Sequence, residues 1–82
     1  MFHKVKNVKA LTNYKLSVQF CDGTTKLYNV EELFTKIPVF QYFEKHTDEF
    51  YNVYVDTGGY GIVWNDDIDL SCEELWENGI EI

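Results

Sequence analysis

The stretch that decides the fold is residues 14–23, with the sequence YKLSVQFCDG. Its apolar residues are Tyr14, Leu16, Val18 and Phe20. They alternate strictly with polar residues, and this period of two is typical of a strand that buries one face. The Asp-Gly pair at its end marks the turn of a hairpin. The sequence therefore predicts a β-hairpin whose first strand starts at Tyr14.

Two turn lengths give this hairpin two different registers. A two-residue turn pairs Leu16 with the polar residue Asn29. A three-residue loop with a glycine in a left-handed bulge pairs Leu16 with Tyr28, and the same register pairs Tyr14 with Val30. Because apolar cross-strand pairs stabilise one buried face, we expect the three-residue loop.

A bulged edge strand is predicted before the hairpin. Residues 2–10 are rich in lysine, which is common on exposed edges, and Val5 and Val8 are three residues apart instead of two. After the hairpin, residues 31–43 change to helical spacing and predict two short helices that meet at Pro38. Residues 47–50 predict one further capped helical turn.

The second half predicts another hairpin and a final helix. Two runs of β-branched and aromatic residues, 53–55 and 60–64, flank a glycine turn. Ser71 followed by Glu74 matches a capping box, which predicts a short helix that ends at the next glycine. We expect Asp69 in the turn that leads into this cap.

These elements predict a single small α+β domain over residues 1–82, with antiparallel β-sheet hairpins and short helices packed on one side. A chain of 82 residues is too short for two ordinary cores. Aromatic residues make up 17% of it, so the core should form without a metal or a disulfide. The apolar phase of each element predicts a core made of Leu16, Val18, Phe20, Tyr28, Leu33, Phe40, Ile62 and Leu75.

The charge is acidic and uneven along the chain. The net charge is −7, from fourteen acids and seven lysines, with no arginine. Residues 1–43 carry +3 and residues 44–82 carry −10. Nucleic-acid binding and binding to an anionic membrane both need a basic surface, so neither is expected. We expect a protein partner with a basic surface, and a homo-oligomer as the second option.

No catalytic site is expected. Cys72 stands at the first position of the final helix, where the helix dipole can favour a thiolate, but a nucleophile also needs an oriented base. His3 and His46 have unrelated contexts, so we expect both beyond hydrogen-bond reach of Cys72. The low cysteine content and the lack of a signal peptide or membrane span predict a cytoplasmic protein with Cys21 and Cys72 reduced.

No cofactor or metal site is expected in the second hairpin either. Its glycines lack the spacing of a phosphate-binding loop, and its aspartates lack the glycine and glutamate of a calcium loop. The candidate residues for partner binding are Tyr60, Trp64, Asp66, Asp67 and Asp69. Trp64 is a candidate as a partly exposed anchor beside an acidic turn, although core packing is the favoured interpretation of this residue.

Four segments carry a resemblance to a known family. They are residues 15–23, 28–34, 61–65 and 68–76. Together they resemble the bacterial family catalogued as domain of unknown function 2442, in which a turn with proline and glycine usually follows the tryptophan. This chain has Asn65, Asp66 and Asp67 there. The resemblance implies a small α+β domain without an established enzymatic activity, and some members are proposed as the antitoxin half of a toxin-antitoxin pair.

Three functions follow from these features. The leading hypothesis is a non-catalytic protein-interaction module whose acidic half meets a basic partner, with an antitoxin-like role as its sharper form. The alternative is a small-ligand or metal-binding accessory domain that uses the hairpin from Gly58 to Asp69. The third is an enzyme that uses Cys72. A DNA-binding role of the kind that longer family members add is not expected, because the chain has no room for a helix-turn-helix.

Overall fold

The first three strands form an antiparallel meander in the computed structural model, which describes residues 2–82. They are β1 (Val5–Leu11), β2 (Lys15–Phe20) and β3 (Thr25–Asn29). The β1–β2 register shifts between Val5 and Asn7, which confirms the predicted bulge. Leu16 pairs with Tyr28, and Gly23 has φ +94°, so the three-residue loop is also confirmed.

Short helical segments connect this meander to the second half of the chain. A 3-10 turn (Val30–Glu32) leads into α1 (Leu33–Lys36), and a second one (Pro38–Gln41) leads into α2 (Tyr42–Lys45). Pro38 is the first residue of its turn, because proline has no N–H to donate and its fixed φ suits a helix start. The single turn α3 (Thr47–Phe50) follows, but no side chain caps it.

A second sheet, which we call sheet B, contains three antiparallel strands. They are β4 (Tyr54–Val55), β5 (Gly61–Asn65) and β6 (Ile68–Ser71), in the order β4-β5-β6. The predicted second hairpin is β4–β5. The third strand, β6, was not predicted.

The chain then returns to the first sheet, which we call sheet A. Helix α4 (Cys72–Asn78) starts as predicted, with the Ser71 hydroxyl accepting from the Glu74 N–H at 3.2 Å. The capping box is incomplete, because the Glu74 carboxylate instead accepts from the Tyr28 hydroxyl at 2.8 Å. Strand β7 (Ile80–Glu81) then pairs with β3, which gives sheet A the order β1-β2-β3-β7.

One hydrophobic core lies between the two sheets and the helical segments. All eight residues predicted for the core are buried. Nine further residues join the same cluster: Val5, Val30, Phe34, Phe43, Phe50, Trp64, Ile68, Leu70 and Cys72. The turn that joins β4 to β5 lies against the backbone of β1, since a Cβ on Gly59 would lie 2.7 Å from the Val5 carbonyl oxygen.

The start of β2 differs from the prediction. The strand begins at Lys15, because Asn13 and Tyr14 adopt left-handed backbone angles with φ near +60°. Val30 begins a 3-10 turn, so the expected pairing of Tyr14 with Val30 does not form. The Tyr14 hydroxyl instead donates to the Phe43 carbonyl at 3.1 Å, which holds the turn against the helical segment.

Candidate protein-binding surface

The three candidate aspartates lie at one end of the β5–β6 hairpin. The Asn65 carboxamide oxygen accepts from the N–H groups of Asp67 and Ile68, at 2.8 and 3.1 Å. An asparagine that satisfies the backbone in this way stabilises a tight turn without proline or glycine. Asp66, Asp67 and Asp69 are all exposed. The turn therefore presents carboxylates to solvent.

Asp69 lies in strand β6, and its predicted position in a turn was wrong. Ile68 and Leu70 on either side are buried, so Asp69 faces outward by the alternation of a strand. This alternation of apolar and polar residues is visible in the sequence. It is short, and the nearby cap at Ser71 favoured a turn.

Trp64 lies in the core with 7% of its surface exposed. Its indole N–H donates to the Phe50 carbonyl at 2.9 Å, and its ring packs against Phe40, Phe43 and Phe50. The favoured interpretation, core packing, is therefore right, and the ring is not presented to a partner. The sequence held the signal, because Ile62 was predicted inward and alternate residues of a strand share a face.

Tyr60 is exposed but lies apart from the aspartate turn. It precedes β5, at the end of the hairpin opposite Asn65. Its ring meets Phe2 edge-on at 5.3 Å, and the Lys4 ammonium lies 5.1 Å from its centroid. The structure therefore groups Tyr60 with the N-terminal segment and not with the three aspartates.

Tyr54 is an exposed aromatic residue that was not among the predicted site residues. It pairs with Val63, and Val63 pairs with Asp69, so the three residues form one row across the outward side of sheet B. Neighbouring strands lie about 5 Å apart, so Tyr54 and Asp69 flank Val63 and are roughly 10 Å from each other on one side of the sheet. Tyr54 is 54% exposed.

We call this surface the acidic face. It consists of Tyr54, Val63, Asp66, Asp67 and Asp69. Within residues 2–82, no lysine ammonium lies within 4.0 Å of a carboxylate, and the two contacts at that distance join imidazoles to carboxylates, His3 with Glu73 and His46 with Glu49. The aspartates of the acidic face therefore form no ion pair within 4.0 Å in the described part of the chain.

A second polar group surrounds the start of helix α4. The Glu73 carboxylate accepts from the His3 backbone N–H at 2.9 Å and lies 3.4 Å from the His3 Nδ1. The His3 ring stacks on Trp76 at 3.8 Å. His3 and Glu73 are 70 residues apart in the sequence, but they are in contact in the fold. The assumption that His3 and Cys72 have unrelated contexts was therefore wrong.

The Cys72 thiol is held in a protonated form in this neighbourhood. Burial raises its pKa above the ordinary value, and the Glu73 carboxylate adds to the shift. Both effects exceed the lowering by nearby backbone N–H groups, including that of His3. Neither imidazole hydrogen-bonds Cys72 in the described residues: the His3 ring is engaged by Trp76 and Glu73, and the His46 ring by Tyr42 and Glu49. Cys21 is exposed, and neither cysteine forms a disulfide.

The cavity that could hold a small molecule lies outside the acidic face. No three His, Cys, Asp or Glu side chains in residues 2–82 are placed to share a metal ion. A cavity of about 410 Å³ is lined by Phe2, His3, Lys4, Phe20, Cys21 and Asp22, away from the aspartate turn. In the same residues, no helix combines the length and apolar composition needed to cross a bilayer.

The fold and this surface define a small α+β domain with one core and an acidic sheet face. The family described as "Protein of unknown function (DUF2442)" matches residues 5–81, which is nearly the whole chain. The chain belongs to this family. Comparison with curated proteins and with solved structures gave no match.

Proposed function

We propose that this chain is a non-catalytic protein-interaction module whose acidic face binds a basic surface on a protein partner. The observation that carries the proposal is the row Tyr54–Val63–Asp69 beside the aspartate turn, without any lysine paired to its carboxylates. Like charges held together raise the free energy of the folded state, and a basic partner would relieve that repulsion.

The composition of the face supports a protein as the partner. Tyrosine is enriched at protein interfaces because it offers a large apolar area together with a hydroxyl group. The aspartates would steer the encounter, and Tyr54 with Val63 would provide the area that leaves water on binding. Exposed carboxylates alone mainly affect the association rate.

The sharper form of this proposal is one half of a two-protein pair, as the antitoxin-like members of the family imply. A cytoplasmic location of this protein fits such a pair. The alternative, a small-ligand or metal-binding accessory domain, has less support, because the cavity at Phe2 lies outside the hairpin from Gly58 to Asp69. A rise in the melting temperature with Ca²⁺ or a metabolite would favour that alternative.

The test uses the chain as bait and compares two triple variants. Asp66→Asn, Asp67→Asn and Asp69→Asn together should lose a basic partner that the wild-type chain captures. The control is Glu31→Gln, Glu32→Gln and Glu44→Gln, which makes the same change in net charge at exposed positions on other elements. This control should retain the partner.

Kinetics with the captured partner separate steering from contact. Between about 50 and 500 mM salt, the association rate should fall severalfold as the Debye length shrinks from roughly 14 to 4 Å. Tyr54→Ala should act mainly on dissociation. If binding is insensitive to salt and equal for both triple variants, the acidic face serves solubility alone and the proposal is wrong.

A further inference from the structure

Strand β7 forms an open edge of sheet A. It is the last strand in the order β1-β2-β3-β7, so it has a neighbour on one side only. The Ile82 N–H donates to the Thr25 carbonyl at 3.1 Å. Because backbone groups alternate sides along an antiparallel strand, the N–H and C=O of Glu81 point away from β3. These groups can pair with an added strand.

The side chains beside this edge are apolar and exposed. Ile80 and Ile82 are 70% and 72% exposed, the highest values among the large apolar residues of the described chain. They share one face of sheet A with Leu27, which pairs with Ile80. The helical segments pack on the opposite face, where Leu16, Val18 and Phe20 are buried. An apolar strip next to unpaired backbone is a typical binding site for an extended segment.

The charge at the edge decides which kind of segment fits. Glu81 pairs with Lys26, but the Lys26 ammonium donates to the Trp76 carbonyl and lies 4.1 Å from the Trp76 ring centroid. Glu81 and the exposed Glu77 therefore have no cation within 4.0 Å among residues 2–82. A second copy paired about a two-fold axis would set Glu81 against Glu81, and like charges directly opposite destabilise a sheet.

We propose that the β7 edge, made of Ile80, Glu81 and Ile82, binds an extended segment of a protein partner that alternates apolar and basic residues and adds to sheet A as a fifth strand. The apolar side chains cover Ile80, Ile82 and Leu27, the basic ones face Glu81, and the Glu81 backbone makes two hydrogen bonds to the segment. This site is separate from the acidic face, so either proposal can fail without the other.

The probe is a synthetic peptide of about eight alternating lysine and valine residues with blocked ends, a typical strand length. In an amide NMR titration of the full chain, shifts should cluster at residues 25–28 and 79–82 with a submillimolar Kd. The same peptide N-methylated on every residue has no amide N–H to donate along either edge, and it should bind at least about tenfold more weakly. Equal binding of the two peptides would show that charge alone attracts them and would overturn the proposal.

Variants locate the site. Ile80→Ser with Ile82→Ser should weaken the peptide about tenfold, since two apolar contacts are lost. The matched control Ile37→Ser with Val39→Ser removes exposed apolar groups elsewhere and should leave the affinity unchanged. The triple variant of Asp66, Asp67 and Asp69 should also bind the peptide normally. Shifts centred on the acidic face, no binding, or a wild-type dimer in sedimentation that the Ile80/Ile82 variant loses would each overturn the proposal.

Discussion

Glu73 shows how one side chain joins distant parts of the sequence. It accepts a hydrogen bond from the His3 backbone and lies against the imidazole of the same residue. The His3 backbone N–H is the main cause that lowers the pKa of this carboxyl group below its usual value. The ionised form is therefore favoured by folding, and the N-terminal segment is tied to helix α4.

The sign of the pH effect follows from this shift. A carboxyl group with a lowered pKa in the folded state stabilises the fold above its unfolded pKa of about 4.3, and that contribution is lost as the pH falls through the lowered value. Melting temperatures of the wild type and Glu73→Gln should therefore differ at about pH 7 and converge as the pH falls through the lowered pKa. A difference that is constant across this range would contradict the role of the charge.

The two cysteines should differ in reactivity. Cys21 is exposed, whereas Cys72 is buried and has a raised pKa. Since the thiolate is the reactive form, a disulfide reagent should modify one thiol quickly in the folded protein and the second only on unfolding. Cys21→Ser should abolish the fast phase, and Cys72→Ser should leave it intact. A fast phase that survives in Cys21→Ser would show that Cys72 is an activated thiol.

At the scale of elements, strand β2 carries the clearest relation between pattern and packing. Leu16 is fully buried, and Gln19 points to the opposite face. Leu16→Ala should lower the free energy of unfolding by about 2 to 5 kcal/mol, because it removes apolar contacts and leaves a cavity. Gln19→Ala, the control, should change it by less than about 0.5 kcal/mol. Chemical denaturation measures both, and similar values would mean that the buried face is wrongly assigned.

The sequence predicted those elements whose pattern is local. The alternation in β2, the bulge in β1 and the Ser71 cap each depend on neighbours in the chain. Strand β7 has only two residues, and its extended form depends on pairing with β3, more than fifty residues earlier. Tyr14 fits the period of two but takes a left-handed conformation because its hydroxyl reaches Phe43 and Thr47. Tertiary contacts, which a single sequence does not display, decide both cases.

The sequence predicted the acidic residues of the candidate site, but it did not predict the aromatic residue Tyr54. The aspartates at 66, 67 and 69 are exposed, as a partner site requires. The phase of Ile62 and Trp64 is readable in the sequence and places Trp64 inward, whereas β4 has only two residues and gives Tyr54 no such local pattern. Only the cross-strand register places Tyr54 beside Val63 and Asp69.

At the scale of the whole molecule, the contact between the β4–β5 turn and strand β1 limits which residue position 59 can hold. Gly59 has φ +81°, and an added Cβ would lie 2.7 Å from the Val5 carbonyl oxygen. Gly23 has φ +94° with open space around it. Gly23→Ala should therefore cost about 1 to 2 kcal/mol for the left-handed backbone alone, and Gly59→Ala clearly more. Equal losses in thermal or chemical denaturation would mean that the β4–β5 turn does not pack tightly on β1 at Gly59.

The burial of Trp64 also gives the molecule an internal optical signal. Its indole lies among three phenylalanine rings and bonds the carbonyl that ends the helical segment, whereas the other indole, Trp76, lies beside His3 and Lys26. Fluorescence emission depends on the polarity around the ring, so the two tryptophans emit from dissimilar surroundings. A chain with Trp76 replaced by phenylalanine would report on the helical segment alone. Loosening of that segment from sheet B would then be visible as a red shift without any attached dye.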